Sequence, residues 1–231
     1  MTPDMILQIH ESVQTIPLAS GAHEISLPIW NLLEKGGWIM AILGLLSVIA
    51  VYIFIERYLT IRKASKEDKN FMNNIRNFIL DGKLNDAKAL CTSNDSPIGR
   101  MIDKGISRLG KPLNDINAAI ENVGRLEVSK LEKNLAGLAT ISGAAPMLGF
   151  LGTVIGMVRA FYDMSMAGNN INIELLSKGI YQAMITTVGG LIVGITAYIF
   201  YNLLVARVQK VVNLLEIRTS EFMDLLYEPV K

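Results

Sequence analysis

Ala145-Pro146-Met147-Leu148-Gly149-Phe150-Leu151-Gly152-Thr153-Val154 lies inside an apolar run, Asn134 to Val158, that contains no Asp, Glu, Lys, Arg or His. Two further runs of the same kind stand on either side of it, Gly36 to Ile55 and Gly179 to Ala206. A helix needs about 20 apolar residues to cross a hydrocarbon core ~30 Å thick. All three runs reach that length, so the chain reads as an all-α integral membrane protein with three spans. Any proton or charge chemistry within those spans has to use hydroxyls, amides, water or a carboxylate brought by another chain.

The net charge is +1, which argues for neither nucleic acid nor an acidic substrate. Its distribution says more. Residues 1–35 hold Lys35 as their one Lys or Arg, whereas Arg57, Arg62, Lys63, Lys66, Lys69 and Arg76 follow the first run. Basic residues near span ends favour the cytoplasmic side. The sequence therefore divides into an outer segment 1–35, span one 36–56 and an inner helical segment 57–133. Span two (134–158), a short outer loop (159–178), span three (179–206) and an inner C-terminal helix (207–231) follow. About 35 residues including Glu34 precede the first run, and Tyr52-Ile53-Phe54-Ile55 suits cleavage poorly, so the run reads as a retained span.

Met5, Ile6, Ile9, Val13 and Ile16 have near-helical spacing, which fits either an amphipathic helix lying on the outer membrane face, in contact with lipid, or a flexible tail. Breaks are expected at Gly82, at Asn94-Asp95-Ser96-Pro97 and at Gly110-Lys111-Pro112. From Pro112 the stripe Leu113, Ile116, Ile120, Val123 predicts a helix that runs without interruption into span two, with Glu121 and Arg125 paired at i and i+4. Span three continues through Val208, Val211, Val212, Leu215 and Phe222. Spans two and three thus extend beyond the bilayer as a helical stalk. Its apolar stripe needs cover from the 57–111 helices or from a neighbouring copy.

Pro146, Gly149, Thr153 and Gly156 share one face of span two, with Gly152 beside them. Ala183, Thr187, Gly190, Gly194 and Ala197 share one face of span three. Small residues let helix backbones approach in lipid, so the glycines read as packing residues. Thr153 and Thr187 are the polar members of these stripes; each can bond back to a carbonyl of its own helix or face a wet cavity. Gln182 and Thr186 are further polar candidates for a pore lining. Pro146 withdraws an N–H and bends its helix.

Catalytic and metal-binding readings find no support. The glycine-rich stretch lacks the Lys of a phosphate loop. His10 and His23 are isolated. The spans hold neither the Ser/His pair nor the paired carboxylates of an intramembrane protease. Cys91 alone forms no internal disulfide. Glu56, Arg57 and Tyr58 read as an interfacial anchor. No cofactor is indicated.

The stretch from Ala145 to Met157, followed by Ala160-Phe161, resembles the APLLGLLGTVxGM…AF signature of the MotA/TolQ/ExbB proton-channel family. Gln182 to Leu191 resembles its EALxxTAxGL segment, and Tyr201-Asn202 its closing YN. The three-span layout is similar to the ExbB and TolQ members. This resemblance implies a homopentamer in a bacterial inner membrane, with a periplasmic N-terminus and spans two and three lining a central pore. It implies a dimer of an ExbD/TolR-like single-span partner whose membrane Asp carries the protons, and a TonB-like protein that receives the work. Carried over by position, Thr153 and Thr187 are the pore hydroxyls that meet that Asp. The family often has Glu where this chain has Gln182, and Ile-Pro-Ala where it has Ile195-Thr196-Ala197. A TolQ-like role in envelope constriction is the alternative of the same class; a passive membrane scaffold is the alternative of another.

Overall fold

The computed structural model describes residues 37–65, 70–166 and 173–227. The N-terminal pattern with His10 and His23 lies outside the described residues. Those described form seven helices: α1 (Gly37–Ala64), α2 (Phe71–Leu80), α3 (Leu84–Ser93), α4 (Pro97–Ile106), α5 (Leu113–Glu132), α6 (Leu135–Met166) and α7 (Ile173–Tyr227). From Gly37, Leu135 and Gly179 onward the three apolar runs lie in α1, α6 and α7, and the stretches Gly37–Ala64, Leu113–Met166 and Leu176–Tyr227 are long and apolar enough to cross a membrane.

The short helices end where backbone chemistry ends them. Gly82 and Gly110 adopt φ of +71° and +89°, a region that costs glycine little. Ser96 caps α4, its Oγ accepting from the Gly99 amide at 3.0 Å, with Pro97 in the first turn. At Gly99 a Cβ would lie 2.6 Å from the Asn94 carbonyl oxygen, so this turn tolerates no larger residue.

One expectation is corrected. The helix from Pro112 does not run unbroken into span two, because α5 stops at Glu132 and α6 starts at Leu135. Between them Lys133 is extended (φ −51°, ψ 136°) and Asn134 is left-handed at φ +65°. Asn is among the few side chains that enter this region at modest cost.

A break in a helix strands carbonyls that its next turn would have satisfied. Here Arg57, on α1, donates through a terminal guanidinium nitrogen to the Lys130 carbonyl at 3.0 Å. Arg57 is buried and pairs with Glu56. It therefore serves as a cap for α5 and not merely as an interfacial anchor.

Beyond the spans, α2, α4 and α5 pack on the end of α7, and α3 packs against α2 and α4. Phe222 is fully buried; it sits so close to Gly105 that a Cβ there would come within 2.7 Å of its ring. Val208, Val211 and Leu215 are buried in the same cluster with Phe71, Ile75, Ile102, Ile116 and Ile120. The α7 stripe is thus covered by the chain's own short helices. Glu121 and Arg125 pair at 3.7 Å on the exposed face of α5.

Glu127 is the buried acid of this region, 4% exposed. It accepts from Arg100 and from Lys130, each at 2.7 Å. Arg100 reaches on to Asp95 at 2.6 Å, and Lys63 of α1 lies 3.3 Å from that carboxylate. Burial acts against the charge on Glu127, but the hydrogen bonds from Arg100 and Lys130 outweigh it and hold its carboxyl below the ordinary Glu value of 4.5. A depressed carboxyl stabilises the fold above its unfolded pKa, and that contribution disappears as pH falls through the folded value. The melting temperature of the solubilised chain should hold steady from neutrality to about pH 5 and fall below it. Glu127→Gln should flatten that acid limb and cost about 1–3 kcal/mol at neutral pH. Thermal melts across pH check both; an equally steep acid limb in the variant contradicts the assignment.

Candidate functional site

The site is built on an antiparallel pair, α6 against α7, in which glycine meets backbone. A Cβ at Gly149 would lie 2.9 Å from the Thr186 carbonyl oxygen and 3.1 Å from the Gly190 Cα. One at Gly190 would lie 2.6 Å from the Ala145 carbonyl oxygen. Gly156 meets Ala183, Gly179 meets Ala160, and Gly152 lies directly under the Thr186 side chain. Gly194 accommodates the Pro146 ring and the Ser142 carbonyl, the acceptor four residues before that proline. In lipid, where burial of apolar surface gives no drive, this close contact supplies the association.

The hydroxyls divide into three situations. Thr186 is buried, donating to its own Ala183 carbonyl at 2.7 Å, with the Gly149 carbonyl of α6 at 3.4 Å. Thr187 is half-buried and donates across the helix pair to the same Gly149 carbonyl at 3.2 Å. Thr153 is half-buried and donates back to Phe150 at 2.6 Å. Facing pairs Gly156/Ala183 and Gly149/Gly190 fix the register, and it sets Thr153 and Thr187 within about one residue, or ~1.5 Å, of the same depth. Matching depth across two helices is a property that spacing on either helix alone does not reveal.

Gln182 is half-buried beside Gly37, where a Cβ would lie 3.0 Å from its Nε2. Gln182 and Thr186 both line a pocket of about 350 Å³ at one end of the helix pair, whose charged walls are Arg159, Asp163 and Lys178. α1 closes one flank of the pair: Met40 packs onto Gly189, and Leu43 is buried near Ala145. Elsewhere the subunit exposes large apolar side chains, among them Met147, Phe150, Met184, Val188 and Ile192. So much apolar surface suits lipid or other membrane chains.

Among the described residues no group of three or more His, Cys, Asp or Glu is placed to hold a metal. Cys91 is buried, and burial, followed by the nearby Asp103 charge, pushes its thiol up to about 12, so it stays protonated at neutral pH.

Three spans, of which the second and third join backbone to backbone, define a multi-pass helical membrane protein. The MotA/TolQ/ExbB proton channel family matches residues 93–217, and this chain belongs to that family. The most similar relatives include an ExbB homolog among biopolymer transport proteins from Methanothermobacter thermautotrophicus, 25% identical over 81% of this chain and 66% of its own length. An ExbB-like biopolymer transport protein from Synechocystis is 25% identical over 78% of this chain and 86% of its own. The Tol-Pal system protein TolQ of Pseudomonas aeruginosa is 32% identical over 55% of this chain and 58% of its own. Within the family the chain is most like ExbB.

Sequence reasoning brought the small-residue faces together but missed the ion network around Glu127. Its signal was present in Glu127 and Lys130 at i and i+3 on a helix whose apolar stripe passes close by.

The glycine contacts give a direct test. Gly149→Ala and Gly190→Ala should each force the helices apart and cost about 1–3 kcal/mol. Gly44→Ala should be neutral or stabilising, since nothing lies within 4 Å of a Cβ there. Thermal melts in detergent separate the two; equal effects at all three positions contradict the packing.

Proposed function

We propose that this chain is the channel-forming subunit of a proton-driven motor of the ExbB type. In this reading five copies surround a pore lined by α6 and α7, and a partner dimer within it supplies the membrane Asp. The observation that carries the proposal is the shared depth of Thr153 and Thr187 in spans without Asp, Glu, Lys, Arg or His. Two hydroxyls at one level can solvate a carboxylate or its water; neither can carry a proton alone near neutral pH.

The mechanism follows from the cost of charge in a low-dielectric interior. A charged Asp opposite the threonines is held by their hydrogen bonds and by water. Protonation removes the charge, lowers the cost of moving past apolar wall, and lets the partner and the ring rotate relative to one another. Return of the proton to the other side restores the charge and the grip. Thr187 already bonds the Gly149 carbonyl, so engaging the Asp means exchanging one acceptor for another. Gln182 and Thr186, on the pocket beside Arg159 and Lys178, form the polar approach. Pro146, Gly149, Gly152, Gly156, Gly190 and Gly194 hold the wall in shape.

The positive-inside pattern supports a reading with α2 to α5 and the end of α7 in the cytoplasm and the N-terminus in the periplasm. The work would pass to a TonB-like protein and energise outer-membrane uptake. Similarity to a TolQ favours a second reading, in which the same motor serves the cell envelope through a Tol-Pal-type system. Restoring TonB-dependent uptake to a strain lacking its own motor subunit, as against restoring envelope integrity, separates the two.

Thr153→Val and Thr187→Val remove a hydroxyl at near-constant volume. Each should cut proton flux in the assembled complex by about tenfold or more, the loss expected for a hydrogen bond to charge worth ~1.5–3 kcal/mol. Flux measured in proteoliposomes checks this, with assembly verified by size. Undiminished flux in both variants contradicts the pore assignment.

A further inference from the structure

A second pocket, of about 590 Å³, lies at the other end of the spans, between α1 and α7. Its walls are Ile61, Arg62, Ser65, Leu203, Ala206, Arg207 and Lys210. Three of these carry positive charge and none is acidic. Arg62 and Lys210 make no ion pair among the described residues, unlike Arg57, Arg100 and Lys130 nearby. Arg207 is held in place without being neutralised: its guanidinium carbon stands 4.3 Å above the centre of the Tyr58 ring.

Depth identifies what this arrangement suits. The uncharged run of α7 ends at Ala206, which marks the edge of the hydrocarbon there, with exposed apolar Leu203 (50%) just above it and Leu59 (59%) exposed on α1. Arg62 follows Leu59 by about 4.5 Å of helix rise and Arg207 follows Leu203 by about 6 Å. The headgroup layer on each side of a bilayer is roughly 5–7 Å thick. The cations therefore stand where lipid phosphates stand, with an apolar floor above them for the start of an acyl chain. Like charges gathered so closely repel one another, and an anion between them relieves that repulsion. Basic pockets between spans on the cytoplasmic side recognise anionic headgroups on this physical basis.

From this the geometry points to a binding site for the headgroup of an anionic phospholipid, held by Arg62, Arg207 and Lys210 at the junction of α1 and α7. The site joins the first span to the pore-forming third span, so an occupying lipid would tie α1 to α7 where the Phe54 and Phe200 rings already stack at 4.0 Å.

The test uses the full chain purified in a mild non-ionic detergent and examined by native mass spectrometry. Dioleoyl-phosphatidylglycerol, dioleoyl-phosphatidylcholine and inorganic phosphate are added in separate arms. The phosphatidylglycerol should be retained in preference to the phosphatidylcholine and should resist displacement by excess phosphate. Combined substitution R62Q/R207Q/K210Q should lower its retention by about tenfold, or ~1.4 kcal/mol. R62K/R207K should retain it, as should Lys104→Gln, which changes a remote exposed charge. Equal retention of the neutral lipid overturns the proposal, and that arm needs no variant to fold. Ready displacement by phosphate overturns it in favour of a free-anion site. Absence of any retained lipid, as when a second copy of the chain covers the pocket, overturns it too.

Discussion

Everything in the membrane half depends on how closely two helix backbones approach at Gly149 and Gly190. At that level each glycine stands where a Cβ would collide with a carbonyl oxygen of the other helix. The contact fixes the antiparallel register of α6 and α7, and through it the relative depth of Thr153 and Thr187. It also brings the Gly149 carbonyl within reach of two threonine hydroxyls, so part of the polar chemistry of the wall is a consequence of its packing. Pro146 lies inside α6 one turn away, and Gly194 makes room for its ring. A helix pair built this way brings no Asp, Glu, Lys, Arg or His of its own into the membrane.

A second constraint operates where the spans meet the short helices. The Lys133–Asn134 break separates the membrane part of the second long helix from its polar extension. Arg57 closes the gap from α1, and Glu127, Arg100, Asp95 and Lys63 extend the connection to α4 and back to α1. Exposed ion pairs such as Lys63–Asp95 contribute little each. The buried Glu127 is different, because its charge is held by Arg100 and Lys130 together and would be left without solvent if both were removed.

Much of this was legible in the sequence because membranes impose long, repetitive patterns. Three uncharged runs gave the spans, and small residues at helical offsets gave the faces that meet. Family membership followed from the Ala145 to Met157 stretch. Asn134 escaped notice because an isolated Asn beside an apolar run reads as a polar end of a span, and composition alone does not announce its left-handed backbone. The depth match of the threonines was hidden for another reason: register between helices is a long-range property that local spacing does not encode. Thr186 reads in the sequence only as a further polar candidate beside Thr187; the roughly 100° step between neighbours on a helix buries it over Gly152 while Thr187 stays half-open.

The central claim is that these spans form half of a proton site and that the titrating group comes from another chain. Proton flux across liposomes containing this protein alone, compared with liposomes that also contain its single-span partner, tests that claim most directly. Under an imposed pH gradient and membrane potential, the chain alone should be proton-tight. The complete complex should conduct, and a partner with its membrane Asp changed to Asn should not. Flux through the chain alone equal to that of the complex would contradict the account.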